Sequence, residues 1–242
     1  MFNAVKISAF VTTNPANRVA LGDISLNSKG GENMDKIYIP TKKEFIKGIE
    51  EFEKREKRDA MYKVATFLVH HFWCNPSDMA DGLGVLLLTW NQAFYRYGNF
   101  DFDKLEECIK NNLEKLKKFR DRDITTFSES DESDIKSMFT EFMESLKIAS
   151  GKMRGRKSPV ATAKALHLLA PNFFPLWDDR IAKVYGCYYN NYPAEKYIQF
   201  MKLMKEFAEK VKHYVDSSKY QNKTLLKLID EFNYSKYTKG WI

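Results

Sequence analysis

From residue 41 onward, apolar side chains recur every three or four positions and nowhere alternate for the length of a strand. This period constrains the fold more than any other feature of the chain. Phe45, Ile49 and Phe52 open the pattern. Tyr62, Ala65, Leu68 and Val69 continue it, followed by Met79, Leu83, Leu86 and Leu87. Leu105, Ile109, Leu113 and Leu116 form a further stripe, and so do Ile135, Met138, Phe139, Phe142 and Leu146. Helical patterns return over 159–169, 179–185, 194–215 and 224–232. The start signals agree with the period. Thr41-Lys42-Lys43-Glu44 reads as a capping box, and Asn75-Pro76-Ser77 breaks the chain so that Ser77 caps the next helix. Acidic residues fill a loop at 128–134, and basic ones a loop at 151–157. The prediction is an all-α fold. With 18 Phe, 13 Tyr and 4 Trp, such helices have ample bulk to bury in a packed core.

Residues 1–35 stand apart, rich in Asn, Ser, Thr and Gly, and Ser28-Lys29-Gly30-Gly31 reads as a linker. They are expected to form an irregular arm, with Met34 an alternative start, ahead of a helical domain over 36–242. Lys and Arg outnumber Asp and Glu by 39 to 32, a formal net charge of +7 that suits a polyanionic partner but also an ion-paired surface. Cys74, Cys108 and Cys187 are widely spaced with no Cys-x-x-Cys pair, which argues against an iron–sulfur cluster or a four-cysteine zinc site and for reduced, intracellular thiols. The adjacent His70 and His71 point in different directions on a helix, so no metal and no cofactor is expected. No apolar run reaches the length of a membrane span, so a cytoplasmic chain without a membrane partner is expected.

Chemistry concentrates in residues 151–186. Lys152, Arg154, Arg156 and Lys157 crowd a turn punctuated by Gly151 and Gly155. Backbone N–H groups of such a turn, backed by cations, can hold a phosphate, although a solvated connector would have the same composition. An apolar helix follows, then a Pro/aromatic turn, then Asp178 and Asp179 at the start of another helix. A carboxylate there serves as an N-cap, and the same ionised group can stabilise a developing sugar cation. His167 reads as a packed or hydrogen-bonded core histidine, and Lys164 as lying on the solvent side of its helix.

The stretch LHLLAPNFFPLWDDRIAKVYG resembles, without a gap, the signature of the helix-hairpin-helix DNA glycosylases, the superfamily of endonuclease-three-like and 8-oxoguanine glycosylases. A second segment, Leu86-Leu87-Leu88-Thr89-Trp90-Asn91-Gln92, resembles that family's Leu-Leu-Ser-x-Gln/Asn helix end. The resemblance implies a two-lobed helical fold with a central lobe at about 77–150, acting as a monomer on double-stranded DNA that carries a damaged base. It implies that Asp178 is the catalytic carboxylate and that Ile181 and Val184 are apolar positions of the following helix. Asn91, with Gln92 beside it, would probe the gap left by a flipped base, and Lys152, Arg154, Gly155 and Arg156 would hold the DNA backbone. Trp90 and Trp177 are the base-pocket candidates. The hairpin departs from the family: its second glycine is missing, and Val160 occupies the slot of the Schiff-base lysine. Lys157 is then the first choice for a nucleophile if the hairpin is longer, and Lys164 the second. Two other classes stay open: a non-catalytic nucleic-acid-binding protein that keeps the scaffold, and a helical interaction protein.

Overall fold

The structure is a computed structural model that describes residues 37–56, 59–216, 218–220 and 223–242. The expected arm at 1–35 and the alternative start at Met34 lie outside these residues. Every regular element among the described residues is helical, and no strand occurs. The helices are α1 (Lys42–Arg55), α2 (Ala60–His71), α3 (Pro76–Trp90), α4 (Gln92–Tyr95), α5 (Phe102–Arg120), α6 (Glu132–Ser145), α7 (Pro159–Leu169), α8 (Asp179–Val184), α9 (Pro193–Val211) and α10 (Leu225–Asn233). A π-helical turn, Tyr234–Thr238, extends α10. Among these residues no helix is long and apolar enough to cross a membrane.

Most boundaries follow from local chemistry. Thr41 caps α1, its Oγ1 accepting from Glu44 N at 3.3 Å. The return half of the box is absent, because the Glu44 carboxylate pairs instead with Lys236 and Tyr38. At α3 the cap is Asn75 and not Ser77. Pro76 takes the first helical position, where its missing N–H costs nothing, and this moves the start two residues upstream. The acidic stretch at 128–134 is a 3₁₀ turn (Glu129–Asp131) running into α6, not an open loop. Asp131 is buried there against Arg122, with two contacts of 2.8 Å that hold its carboxyl well below the usual range.

Helix α3 packs on α2 and α5, α5 on α6, and α6 on α7 and α9. Helix α1 packs on α10 and on the π turn, which also meets α8. Helix α7 is central, touching α2, α3 and α6. Its Ala161, Ala163 and Ala165 are fully buried, and such small side chains let neighbouring helices approach closely.

Candidate active site

The segment between α7 and α8 is irregular but not loose. Phe119 meets Phe173 and Phe174 at ring distances of 4.8 and 5.5 Å, and the Arg122 guanidinium lies 4.7 Å over Phe173. Four of its carbonyls are tied down by side chains or by the backbone of neighbouring elements. Pro171 O accepts from Thr224 Oγ1 at 3.0 Å, Asn172 O from Ile124 N at 2.9 Å and Pro175 O from Tyr197 OH at 2.9 Å. Phe174 O accepts from His167 Nδ1 at 2.7 Å, and this fixes the tautomer so that Nε2 accepts from Tyr62 OH at 3.1 Å. His167 is fully buried, as its sequence context suggested, and burial pushes its pKa down to about 3. Trp177 closes the segment among Phe139, Tyr197 and Phe200. Its wholly buried Nε1–H has no acceptor among the described residues.

This scaffold delivers Asp178 to the head of α8. One carboxylate oxygen caps the helix, accepting from Ile181 N at 2.7 Å. The other accepts from Thr238 Oγ1 at 2.9 Å. Thr238 is held in turn, since its carbonyl accepts from Arg180 Nη1 at 2.6 Å. The π-helical turn thus sets the orientation of Asp178. Asp179 lies outside this arrangement, taken up by Lys183 at 2.7 Å and Tyr189 at 3.3 Å. Ile181 is buried as expected, but Val184 is 52% exposed, because α8 is too short to be covered on both faces.

Asp178, Trp177 and Leu176 line a recess of about 200 Å³ together with Trp90 and Lys164. Phe52, Glu56, Asp59, Lys227, Asp230 and Tyr234 complete the wall. Lys164 therefore does not lie on a solvent face. Helix α7 is packed on nearly every side and has no such face to offer, so Lys164 sits one turn beyond Val160 on the same side of the helix. Its Nζ donates to Trp90 O at 3.1 Å and to Asn91 Oδ1 at 3.4 Å, and stands 4.6 Å over the Trp90 ring. Burial lowers its pKa to about 8, against the opposing pull of the Asp230 and Asp178 charges. Lys157 goes elsewhere: it is exposed, and its ammonium pairs with Glu144 of α6. Of the two lysines, only Lys164 reaches the recess.

Three charged residues of the recess wall, Lys227, Asp230 and Asp59, carry no functional signal in the sequence. Lys227 is 2% exposed, with Nζ 3.1 Å from Asp59, 3.7 Å from Asp230 and 3.7 Å from Glu231. It also lies over the Phe52 and Tyr62 rings at 4.7 and 4.6 Å. Burial works against its charge, but Asp230, Glu231 and Asp59 outweigh it and hold the ammonium above its ordinary range. Asp230, whose side chain is 16% exposed, is pushed up to about 7 by burial, with Lys227 pulling it down and Asp178, Glu231 and Asp59 pushing it further up. Thr238 orients Asp178 from outside the wall. In sequence, Lys227, Asp230 and Glu231 have the spacing of an ordinary surface ion-pair row, and only their burial sets them apart.

Asn91 and Gln92 separate in their surroundings. Asn91 is partly buried, its amide donating to Ser158 Oγ at 3.4 Å and its oxygen accepting from Lys164, so it braces the recess. Gln92 is exposed at the start of α4. The hairpin between α6 and α7 is closed by Gly155 N to Ile148 O at 2.7 Å and Ile148 N to Arg156 O at 2.9 Å. Gly151 and Gly155 both have positive φ, at 82° and 85°. The closed hairpin presents Lys152, Arg154 and Arg156 as exposed cations. No protein-family model, curated protein or solved structure matches the chain.

Proposed function

We propose that the chain is a DNA glycosylase that receives a flipped, damaged base in the recess and cleaves its N-glycosidic bond. One observation carries this reading: Asp178, Lys164, Trp90 and Trp177, drawn from separate parts of the sequence, line a single small recess. At about 200 Å³ the recess is below the roughly 300–1,000 Å³ typical of drug-sized ligands, and suits a small planar group. Double-stranded DNA is the partner, bound by a monomer. Lys152, Arg154 and Arg156 on the closed hairpin attract its backbone without reading sequence. Flipping costs a few kcal/mol, least at a damaged pair, and exposed Gln92 is better disposed than Asn91 to enter the gap.

In the reaction, Asp178 is a carboxylate oriented by two donors, and it stabilises positive charge developing on the sugar. Lys164 is the nucleophile. With a pKa of about 8, roughly a tenth of it is the free amine at pH 7, and an amine attacking C1′ leads to a Schiff base. The test uses labelled duplexes containing 8-oxoguanine, uracil, hypoxanthine, thymine glycol or alkylated purines, with wild type, Asp178→Asn and Lys164→Gln. Base release abolished by Asp178→Asn, and borohydride trapping abolished by Lys164→Gln, are the expected results. Salt-sensitive duplex binding with no base release from any substrate would establish the non-catalytic nucleic-acid-binding alternative instead.

A further inference from the structure

Two carboxylates of the recess differ in their surroundings. Asp178 accepts hydrogen bonds at both oxygens from neutral donors, whereas Asp230 accepts none from a neutral group among the described residues and relies on a single ammonium 3.7 Å away. Asp230, on α10, lines the recess together with Leu176, Trp177 and Asp178 of the α7–α8 segment. From these placements we propose that Asp230 is a second catalytic group, the acid that delivers a proton to the base as it leaves. The proposal rests on the glycosylase reading and deepens it.

The step balances without any further reactant. The electron pair of the C1′–N bond departs with the base. The Asp230 carboxyl gives its proton to a ring nitrogen or exocyclic oxygen of that base, so the base leaves neutral. Lys164 Nζ supplies an electron pair to C1′, and the proton it sheds passes to Asp178 or to solvent. Asp230 ends as a carboxylate beside the Lys227 ammonium, which is already in place to receive the charge. Largely withdrawn from water and surrounded by other carboxylates, the Asp230 carboxyl holds its proton near neutrality, where a solvated aspartate does not. The charges that set this balance are Lys227 and Glu231 on its own helix, Asp178 before α8 and Asp59 at the head of α2; Glu56 after α1 and Lys164 on α7 also face the recess, Tyr62 on α2 lies under Lys227, and Lys223 pairs with Glu231. Two opposing requirements follow. Lys164 must be deprotonated, so the rate climbs as pH rises toward about 8, and Asp230 must be protonated, so the rate falls as pH rises through about 7.

The experiment is single-turnover base release as a function of pH, on whichever lesion duplex the wild-type protein cleaves. Asp230→Asn is expected to slow release about 100-fold or more and to remove the alkaline descent, leaving only the ascending limb. Asp230→Ala is expected to be as slow, and to be accelerated by formic acid in proportion to its protonated fraction. A merely structural partner of Lys227 would give neither result. A slow Asp230→Asn protein with the wild-type pH profile and no rescue overturns the proposal, as does a variant within threefold of wild type. In both of those cases wild-type cleavage, and its loss in Asp178→Asn, leave the glycosylase reading intact. Failure of the wild type to release any base overturns both.

Discussion

Replacing Lys227 by Met tests how the floor of the recess is held together. The ammonium is 2% exposed and lies 3.1, 3.7 and 3.7 Å from Asp59, Asp230 and Glu231, of which Glu231 also pairs with Lys223 at 2.9 Å. Removing one member of a buried charge cluster strands the others, at a cost of about 3–5 kcal/mol. Domains are stable by only about 5–15 kcal/mol, and for a chain of this size each kcal/mol moves Tm by about 2–4 °C, so Lys227→Met should melt about 10 °C lower at pH 7.5. The loss should also depend on pH in a defined direction. Asp230 already has a folded pKa of about 7, above its unfolded value near 3.9, so its protonated form favours the folded state. Stability from this group is fully present below the unfolded pKa and is lost as pH rises through the folded one. Without Lys227 the folded pKa rises further. The difference between variant and wild type should therefore be largest at pH 8 and shrink toward pH 5, where Asp230 takes up its proton in both proteins. Urea unfolding and calorimetry across pH 5–8 measure it, with Lys117→Met at the exposed Lys117–Glu114 pair as a control that should leave Tm unmoved. A loss under about 1 kcal/mol, or one independent of pH, would refute the view that the buried Lys227 ammonium holds this carboxylate cluster together.

Three further outcomes are expected. Thr238→Val removes one donor to Asp178 and should slow base release about 10-fold, the worth of a hydrogen bond to a charged group, with little change in the unfolding midpoint. Changing Lys152, Arg154 and Arg156 together to Ala should reduce the slope of log affinity against log salt by about 3 in duplex binding titrations, while leaving the urea unfolding midpoint unchanged. Gly151→Ala should destabilise more than Gly155→Ala in urea unfolding. Both have positive φ, a cost of about 1–3 kcal/mol for a non-glycine residue, but a Cβ at 151 would come 2.3 Å from Tyr97 O, whereas at 155 nothing lies within 4 Å.

The helices themselves were legible in the sequence, because a 3.6-residue apolar period follows directly from which face of each segment is buried. Thr41, Pro159 and Asp178 marked their helix starts for equally local reasons. Asp178 and its two tryptophan companions could be singled out from one linear stretch and one helix end. The choice between Lys157 and Lys164 could not. A lysine in an apolar helix reads as the one residue facing bulk water, and only the packing of α2, α3 and α6 around α7 shows that Lys164 opens into a recess instead. Lys227, Asp230 and Glu231 were hidden for the same reason. Their spacing is that of a solvated ion-pair row, and it is the docking of α10 on α1, across nearly 180 residues of chain, that buries them and sets their charges. Periodicity and caps are local properties and can be read from sequence, but the dielectric around a charged side chain depends on what the rest of the chain brings against it, and that is decided only in the tertiary structure.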